Sequence, residues 1–227
     1  MTTSAPTHSD KVTFATSAGG IGGLVFVGAL LVQNVLRATA PGFDATPAEV
    51  VPYFSRAGAA AVVPLVFFPF EMPAVFLFVA SIWTHAHSLP TRWWASVGVL
   101  GATSIAALFG IVNIMEIVLV WNADRFATDS AVVQAVWSLR TAAFCLDLAA
   151  IAVALIGLSR AAAPMGLIHR WTAAACLPGA TCLLIASALS IALQSNPIWL
   201  GIGLIGFVVW LVFVANASVS LMRGRQI

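Results

Sequence analysis

The chain has 227 residues, of which 61% are hydrophobic and only 8% are charged, and its mean hydropathy is +1.01. So little charge excludes an ordinary soluble domain, and repeated apolar runs of about 18 residues or more predict transmembrane helices. The formal net charge is +2 and the basic residues are scattered, so the sequence indicates no nucleic-acid-binding surface.

Six apolar runs predict an all-α polytopic integral membrane protein, with a single six-helix transmembrane domain over residues 18–221. Residues 1–17 are polar and rich in Thr and Ser, which predicts a disordered cytoplasmic segment. Residues 222–227 are predicted to be a cytoplasmic tail. The expected location is the inner (plasma) membrane, where the lipid bilayer is the main partner.

The first predicted span, residues 18–36, opens with a glycine-rich sequence. Gly19 and Gly23 are spaced for close packing against another helix. The Ala38-Thr39-Ala40 sequence that follows resembles a signal-peptide cleavage site, but the apolar run is longer than the roughly 7–15 residues of a signal-peptide core. We therefore interpret the first helix as a permanent span.

The longest predicted loop, residues 37–57, contains a helix-start signal. Thr46 and Glu49 are spaced as a capping box, and Pro47 occupies the first helical position. A short helix at the membrane interface is therefore predicted, and we expect Pro52 to limit its length.

The second predicted span, residues 58–83, carries one carboxylate among three prolines. Pro64, Pro69 and Pro73 each remove a backbone donor and leave carbonyl groups near a bend without their usual partner. Glu71 lies between two of these prolines near the centre of the span, and we interpret it as a candidate site residue.

The third and fourth spans carry four more candidate site residues. In the third span, residues 93–121, Asn113 and Glu116 are three residues apart and share a helix face. In the fourth, residues 137–158, Arg140 and Asp147 lie on one face, because seven residues make two helical turns. Ionisable groups at membrane depth are costly, so they normally pair inside the bundle or serve a function.

No metal site and no cofactor are predicted. Cys145, Cys176 and Cys182 lie within apolar runs without Cys-x-x-Cys spacing, so we interpret them as small core residues. His85 and His87 fall in a short loop, and we interpret them as interfacial. The fifth and sixth spans, residues 171–194 and 198–221, add no further charged residue.

The distribution of basic residues predicts the orientation of the six spans. Nine of the ten Lys and Arg residues lie outside or at the ends of the spans. Six share the side of both termini, which the positive-inside rule assigns to the cytoplasm. These six are Lys11, Arg92, Arg160, Arg170, Arg223 and Arg225. The three on the opposite side are Arg37, Arg56 and Arg125.

We expect the candidate residues to meet in a polar pocket among the second, third and fourth spans. Counting along the helices places Glu71 and Asp147 near the bilayer midplane and Arg140 in the outer half. Arg140 can then reach Glu116 or Asp147. Because three carboxylates compete for one guanidinium, at least one of Glu71 and Asp147 is expected to keep its proton at neutral pH.

Three classes of function fit this pocket. Arg140 and a carboxylate can form a structural clamp, in a protein that works beside a partner membrane protein. The pocket can bind or transport a proton or a small apolar or ionic ligand, which requires a water-filled path. Finally, Glu71 or Asp147 can serve as the general acid of an intramembrane enzyme acting on an isoprenoid or lipid substrate. The enzyme requires a lateral opening, expected to be lined by Phe67, Phe68, Phe70 and Phe144.

Two stretches resemble known membrane proteins. The sequences GFDATPAEVVPYFSRAG and VWSLRTAAFCLDLAAIAVALIGLSR resemble a family of polytopic membrane proteins of actinobacteria whose activity is not established, which implies a fold and no chemistry. The sequence FFPFEMPAVF is similar to part of the small membrane-bound terpene cyclases, which implies that Glu71 is an acid protonating an isoprenoid. This chain has Phe70 before Glu71, where those cyclases have Trp.

Overall fold

The computed structural model describes residues 8–56, 59–126, 128–192 and 198–223. Within these ranges the chain is all-α, with seven α-helices, one short 3-10 helix and no strand. Six of the α-helices are long and apolar enough to cross a membrane, and α2 is the short exception. The elements are α1 (His8–Leu36), a 3-10 turn (Arg37–Thr39), α2 (Pro47–Ser55), α3 (Ala59–His85), α4 (Leu89–Phe126), α5 (Ser130–Ala162), α6 (Arg170–Ala192) and α7 (Ile198–Met222).

The predicted fold class is confirmed: six helices of spanning length make this a multi-pass membrane protein. The start of α1 differs from the prediction, because the helix begins at His8 and includes residues 8–17, which were expected to be disordered. Adding residues to a formed helix needs no new nucleation, so the helix extends past its apolar run. Residues 1–7 and 224–227 lie outside the described residues.

The short helix α2 starts as predicted and ends later than predicted. Glu49 accepts hydrogen bonds from the backbone N–H of Thr46 at 2.8 Å and from its hydroxyl at 2.9 Å, which forms the predicted capping box. The expectation that Pro52 limits the helix is wrong, because α2 continues through it to Ser55. A proline inside a short surface helix removes one backbone donor, and the buried side chains of Val50 and Phe54 still anchor the helix to the bundle.

Helix α5 lies at the centre of the bundle. It packs antiparallel along α4 and also contacts α3, α6 and α7, and it is the most buried of the six spans. Near the end of α5, Gly157 lies directly against the backbone of Gly98 in α4, and one turn away Gly101 lies against Ala154. Small residues let the two backbones approach closely, which is the usual packing of helices within a membrane.

Helices α1 and α7 close the bundle on the opposite side. The predicted close packing at Gly19 and Gly23 is confirmed, since a β-carbon at Gly19 would overlap Ser81 of α3 and one at Gly23 would overlap Ser218 of α7. Two turns further along α1, the rings of Phe26 and Trp210 pack edge to face with centroids 6.4 Å apart. Beyond this point the two helices border a cavity.

Candidate functional site

Two arginines share one buried carboxylate at the centre of the site. Arg140 donates to Oε1 of Glu116 from Nε at 3.0 Å and from Nη2 at 2.8 Å. Arg37 donates to the other oxygen, Oε2, from Nη2 at 2.8 Å. The side chain of Glu116 is 6% exposed, and those of Arg140 and Arg37 are 7% and 16% exposed. The structure therefore pairs Arg140 with Glu116 and not with Asp147.

Arg37, which belongs to the 3-10 turn directly after α1, also reaches Asn113. Arg37 Nη2 donates to Asn113 Oδ1 at 3.4 Å, and the amide of Asn113 in turn donates to the backbone carbonyl of Phe109 at 2.8 Å. The shared helix face predicted for Asn113 and Glu116 is confirmed by these contacts to a single guanidinium. The fourth candidate of α4 and α5, Asp147, does not join this cluster.

Sequence reasoning missed Arg37 and Gln33. Arg37 was counted only as a basic residue outside the spans, and Gln33 was not considered a site residue, because both come at the end of an apolar run. In the structure Gln33 is 1% exposed, and its Oε1 accepts a hydrogen bond from Arg37 Nη1 at 3.3 Å. Their spacing of four residues puts them on one helix face, and this was the available signal.

Glu71 of α3 is held by Gln33, the same residue that contacts Arg37. Gln33 Nε2 donates to Glu71 Oε2 at 2.9 Å and to the carbonyl of Pro64 at 2.8 Å. Glu71 is completely buried, and its Oε1 has no hydrogen-bond partner among the described residues. The carbonyl that Pro64 deprives of its usual donor belongs to Ala60, and the Tyr53 hydroxyl donates to it at 3.4 Å.

Aromatic rings surround the guanidinium of Arg140. Its carbon lies 4.8 Å from the ring centre of Trp137, 5.3 Å from Phe43 and 5.8 Å from Phe144. Ring faces carry partial negative charge, so they stabilise a buried cation. Phe43 belongs to the loop before α2, which is fixed by a hydrogen bond from Trp137 Nε1 to the carbonyl of Gly42 at 3.1 Å.

A cavity of about 270 Å³ lies next to this cluster, between α1, α4, α5 and α7. Helix α3 adds one residue, Met72, to its wall. Most of its wall is apolar, including Phe26, Met72, Phe109 and Phe144. Glu71 does not contribute to the wall, whereas its hydrogen-bond partner Gln33 does. The charged or amide side chains of the wall are those of Gln33, Asn34, Arg37, Arg140 and Asp147.

Asp147 contributes a carboxyl group to the cavity wall without any protein partner. It is 4% exposed, and among the described residues it makes no hydrogen bond and no ion pair. The expectation that three carboxylates compete for one guanidinium is wrong. Two guanidiniums share Glu116, and neither Glu71 nor Asp147 is within ion-pair distance of an arginine that the structure describes.

One side of the cavity is formed by α1 and α7. These helices touch at Gly23 and Ser218, and nearer the start of α7 the wall residues Leu200 and Leu204 are 43% and 60% exposed. Large exposed apolar side chains on a spanning helix face lipid, so this side of the cavity borders the bilayer.

The set of phenylalanines predicted to line a lateral opening is only partly correct. Phe144 lies in the cavity wall, whereas Phe67, Phe68 and Phe70 do not. Phe68 packs on Phe109 with ring centroids 5.9 Å apart, and Phe70 is 65% exposed on the outside of α3. Of the four predicted residues, the structure therefore brings only Phe144 to the cavity.

Fold and site together define a multi-pass integral membrane protein with charged residues buried inside its helical bundle. Comparison of the chain with protein-family models, curated proteins and solved structures finds no match.

Proposed function

We propose that this protein binds a small amphipathic anion inside the plasma membrane, with both termini in the cytoplasm. The observation that carries the proposal is the shared carboxylate: Arg37 and Arg140 line an apolar cavity, and Glu116 alone pairs with both. One unit of positive charge therefore has no ion-pair partner among the described residues. A buried charge is stable only when it is paired, so an anionic ligand supplies what the site lacks.

Hydrogen-bond donors remain free for such an anion. Arg140 uses Nε and Nη2 on Glu116, and its Nη1 donates to no described residue. Arg37 uses both of its terminal nitrogens, and its Nε is likewise without a partner in the described part of the chain. Guanidinium groups bind carboxylates and phosphates through several parallel hydrogen bonds, which suits a carboxylate or phosphate head group.

The volume of the cavity limits the size of the apolar part of the ligand. A cavity of about 150 Å³ accommodates a six-carbon ring, so the volume of about 270 Å³ corresponds to roughly ten non-hydrogen atoms. A longer chain can extend past Leu200 and Leu204 into the bilayer. The same side of the cavity is the route by which a ligand dissolved in lipid would enter.

The test compares three ligands with the same ten-carbon chain: decanoate, 1-decanol and decylamine. Binding to the purified protein in a non-ionic detergent is measured by native mass spectrometry and calorimetry. We expect decanoate to bind more tightly than the other two, and Arg37→Met to abolish this preference, because it leaves a neutral Arg140–Glu116 pair. Arg56→Met, an exposed arginine outside the spans, is the matched control and should change nothing.

The contrary result is equal binding of the three ligands, unaffected by Arg37→Met. It would mean that the cavity has no anion site and that the two arginines and Glu116 are a structural clamp.

A second candidate function, an intramembrane enzyme, is favoured by one observation. Asp147 places an unpaired carboxyl group in an apolar wall beside the ring of Phe144, which is a suitable setting for a general acid acting on an apolar substrate. Incubation with isoprenoid alcohols in deuterated water would show deuterium in the product if Asp147 protonates carbon. Loss of this label in Asp147→Asn would support the enzyme, and its retention would exclude that role.

A further inference from the structure

We infer that Asp147 is a second recognition point in the cavity, and that the ligand carries a hydroxyl group at the far end of its apolar chain from its anionic head. This inference rests on the proposed function. It narrows the ligand class from simple amphipathic anions to medium-chain acids hydroxylated at the end opposite the carboxylate.

The first support is the unsatisfied state of Asp147. Buried polar atoms in proteins nearly always have a hydrogen-bond partner, and a buried acceptor left alone costs free energy. Oδ1 of Asp147 is buried and has none within the described ranges. The three other buried atoms without partners belong to Glu71, Trp199 and Ser218, and none of these residues lines the cavity. Among these four residues only Asp147 lines the cavity, and its second oxygen, like Oδ1, has no hydrogen-bond partner in the described part of the chain.

The second support is the geometry of α5. Arg140 and Asp147 are seven residues apart, which is two helical turns on the same face and about 10 Å along the axis. Both line the cavity, and Phe144 lies between them on the same face. Phe109 of α4 contributes a second ring to the wall. A ligand that fills this space meets a cationic end, an apolar middle and a lone carboxyl group in that order.

A hydroxyl group is the ligand group that fits Asp147 in either protonation state. It donates to a carboxylate oxygen and equally to the carbonyl oxygen of a neutral carboxylic acid. No further charge is then brought into the apolar wall, where an additional buried ion would be costly.

The experiment compares two isomers, 10-hydroxydecanoate and 5-hydroxydecanoate, which have the same composition and the same head group. Dissociation constants are measured for the full chain in a non-ionic detergent. We expect the 10-hydroxy isomer to bind about 3- to 10-fold more tightly, as one additional buried hydrogen bond requires. In the 5-hydroxy isomer the hydroxyl would meet the rings of Phe144 and Phe109 instead.

Two variants test the assignment to Asp147. Asp147→Asn keeps an acceptor oxygen in place and should retain the preference for the 10-hydroxy isomer. Asp147→Leu removes the acceptor and should bind both isomers equally. A loss of folding in the leucine variant leaves the preference itself testable, because the ratio of the two dissociation constants in the wild type shows whether the terminal hydroxyl is recognised.

Equal binding of the two isomers by the wild type would overturn this inference. If decanoate still binds in an Arg37-dependent way in that case, the proposed anion site stands and only the role of Asp147 is rejected. If neither decanoate nor its hydroxylated forms bind, the proposed function itself fails and this inference fails with it.

Discussion

Gln33 of α1 donates a hydrogen bond to Glu71 of α3 at 2.9 Å, with Gln33 1% exposed and Glu71 completely buried. The carbonyl oxygen of the same Gln33 amide accepts a hydrogen bond from Arg37 at 3.3 Å. One amide group thus connects a buried acid on the proline-containing helix to the charged cluster beside the cavity. Gln33 is therefore a structural link between two helices and two charged groups.

We predict that Gln33→Leu lowers the free energy of unfolding by about 1–3 kcal/mol, because it leaves the buried Glu71 without a donor. Unfolding is measured by titrating the detergent-solubilised protein with sodium dodecyl sulfate. The double variant Gln33→Leu with Glu71→Leu should recover part of the loss, since replacing both polar partners removes the unsatisfied group. Asn34→Leu is the control, because the Asn34 amide donates only to Leu30 of its own helix. An equal loss in that control would contradict the prediction.

We predict that Glu116→Gln destabilises the protein more than Arg37→Met does. Removing Glu116 leaves two buried guanidiniums unpaired, and breaking a buried ion pair costs about 3–5 kcal/mol. Arg37→Met leaves Glu116 paired with Arg140 through two hydrogen bonds, so the loss should be smaller. The same unfolding titration measures both variants. If Arg37→Met is the more destabilising of the two, Glu116 is not the shared counter-charge.

We predict that Gly157→Ala destabilises the α4–α5 pair by about 1–3 kcal/mol, as an overpacked contact does. A β-carbon at Gly157 would overlap the backbone of Gly98, which cannot move aside as a flexible side chain could. Gly28→Ala and Gly201→Ala are matched controls, because an added β-carbon there meets nothing within 4 Å. These controls should be neutral or stabilising by up to about 1 kcal/mol, since alanine favours a helix over glycine.

We predict that protection of α2 from hydrogen exchange depends on the ionisation of Glu49. Hydrogen bonds from the backbone N–H and the hydroxyl of Thr46 lower the pKa of Glu49 below its ordinary value of 4.5. Because the folded-state pKa is lowered, the stabilisation is present above pH 4.5 and is lost as the pH falls through the lower value. Exchange in residues 47–55 is compared between the wild type and Glu49→Gln at each pH. The two should differ near neutral pH and converge in acid, and a constant difference would refute the assignment.

Composition and apolar run length were sufficient to predict the six spans, because a bilayer imposes both on any helix that crosses it. The contacts of Arg140 with Glu116 could be anticipated as one of two pairings, since helical spacing places both Glu116 and Asp147 within its reach. The sequence could not decide between them, because the choice depends on where α1 lies. Arg37 arrives from α1, occupies the second oxygen of Glu116 and leaves Asp147 alone in the wall.

The orientation of the protein in the membrane remains a prediction. The structure shows that one of the basic residues counted for it, Arg37, is part of the buried cluster. The charge count placed Arg37 among three basic residues on the outer side, and its side chain is 16% exposed and bound to Glu116. The positive-inside rule counts basic residues near the ends of the spans whether or not they are paired in the folded protein, so the predicted orientation is unchanged.

The cavity is lined by both α1 and α7. Its wall therefore combines the first helix that the ribosome synthesises with the last. While α1 to α6 leave the ribosome and enter the membrane, the face of α1 that carries Gln33 and Arg37 has no α7 beside it. The arginine cluster is thus accessible from the lipid on that side until α7 inserts. A nascent chain stalled before α7 would lack the part of the wall that α7 contributes, so the complete cavity forms only after the last helix has been inserted.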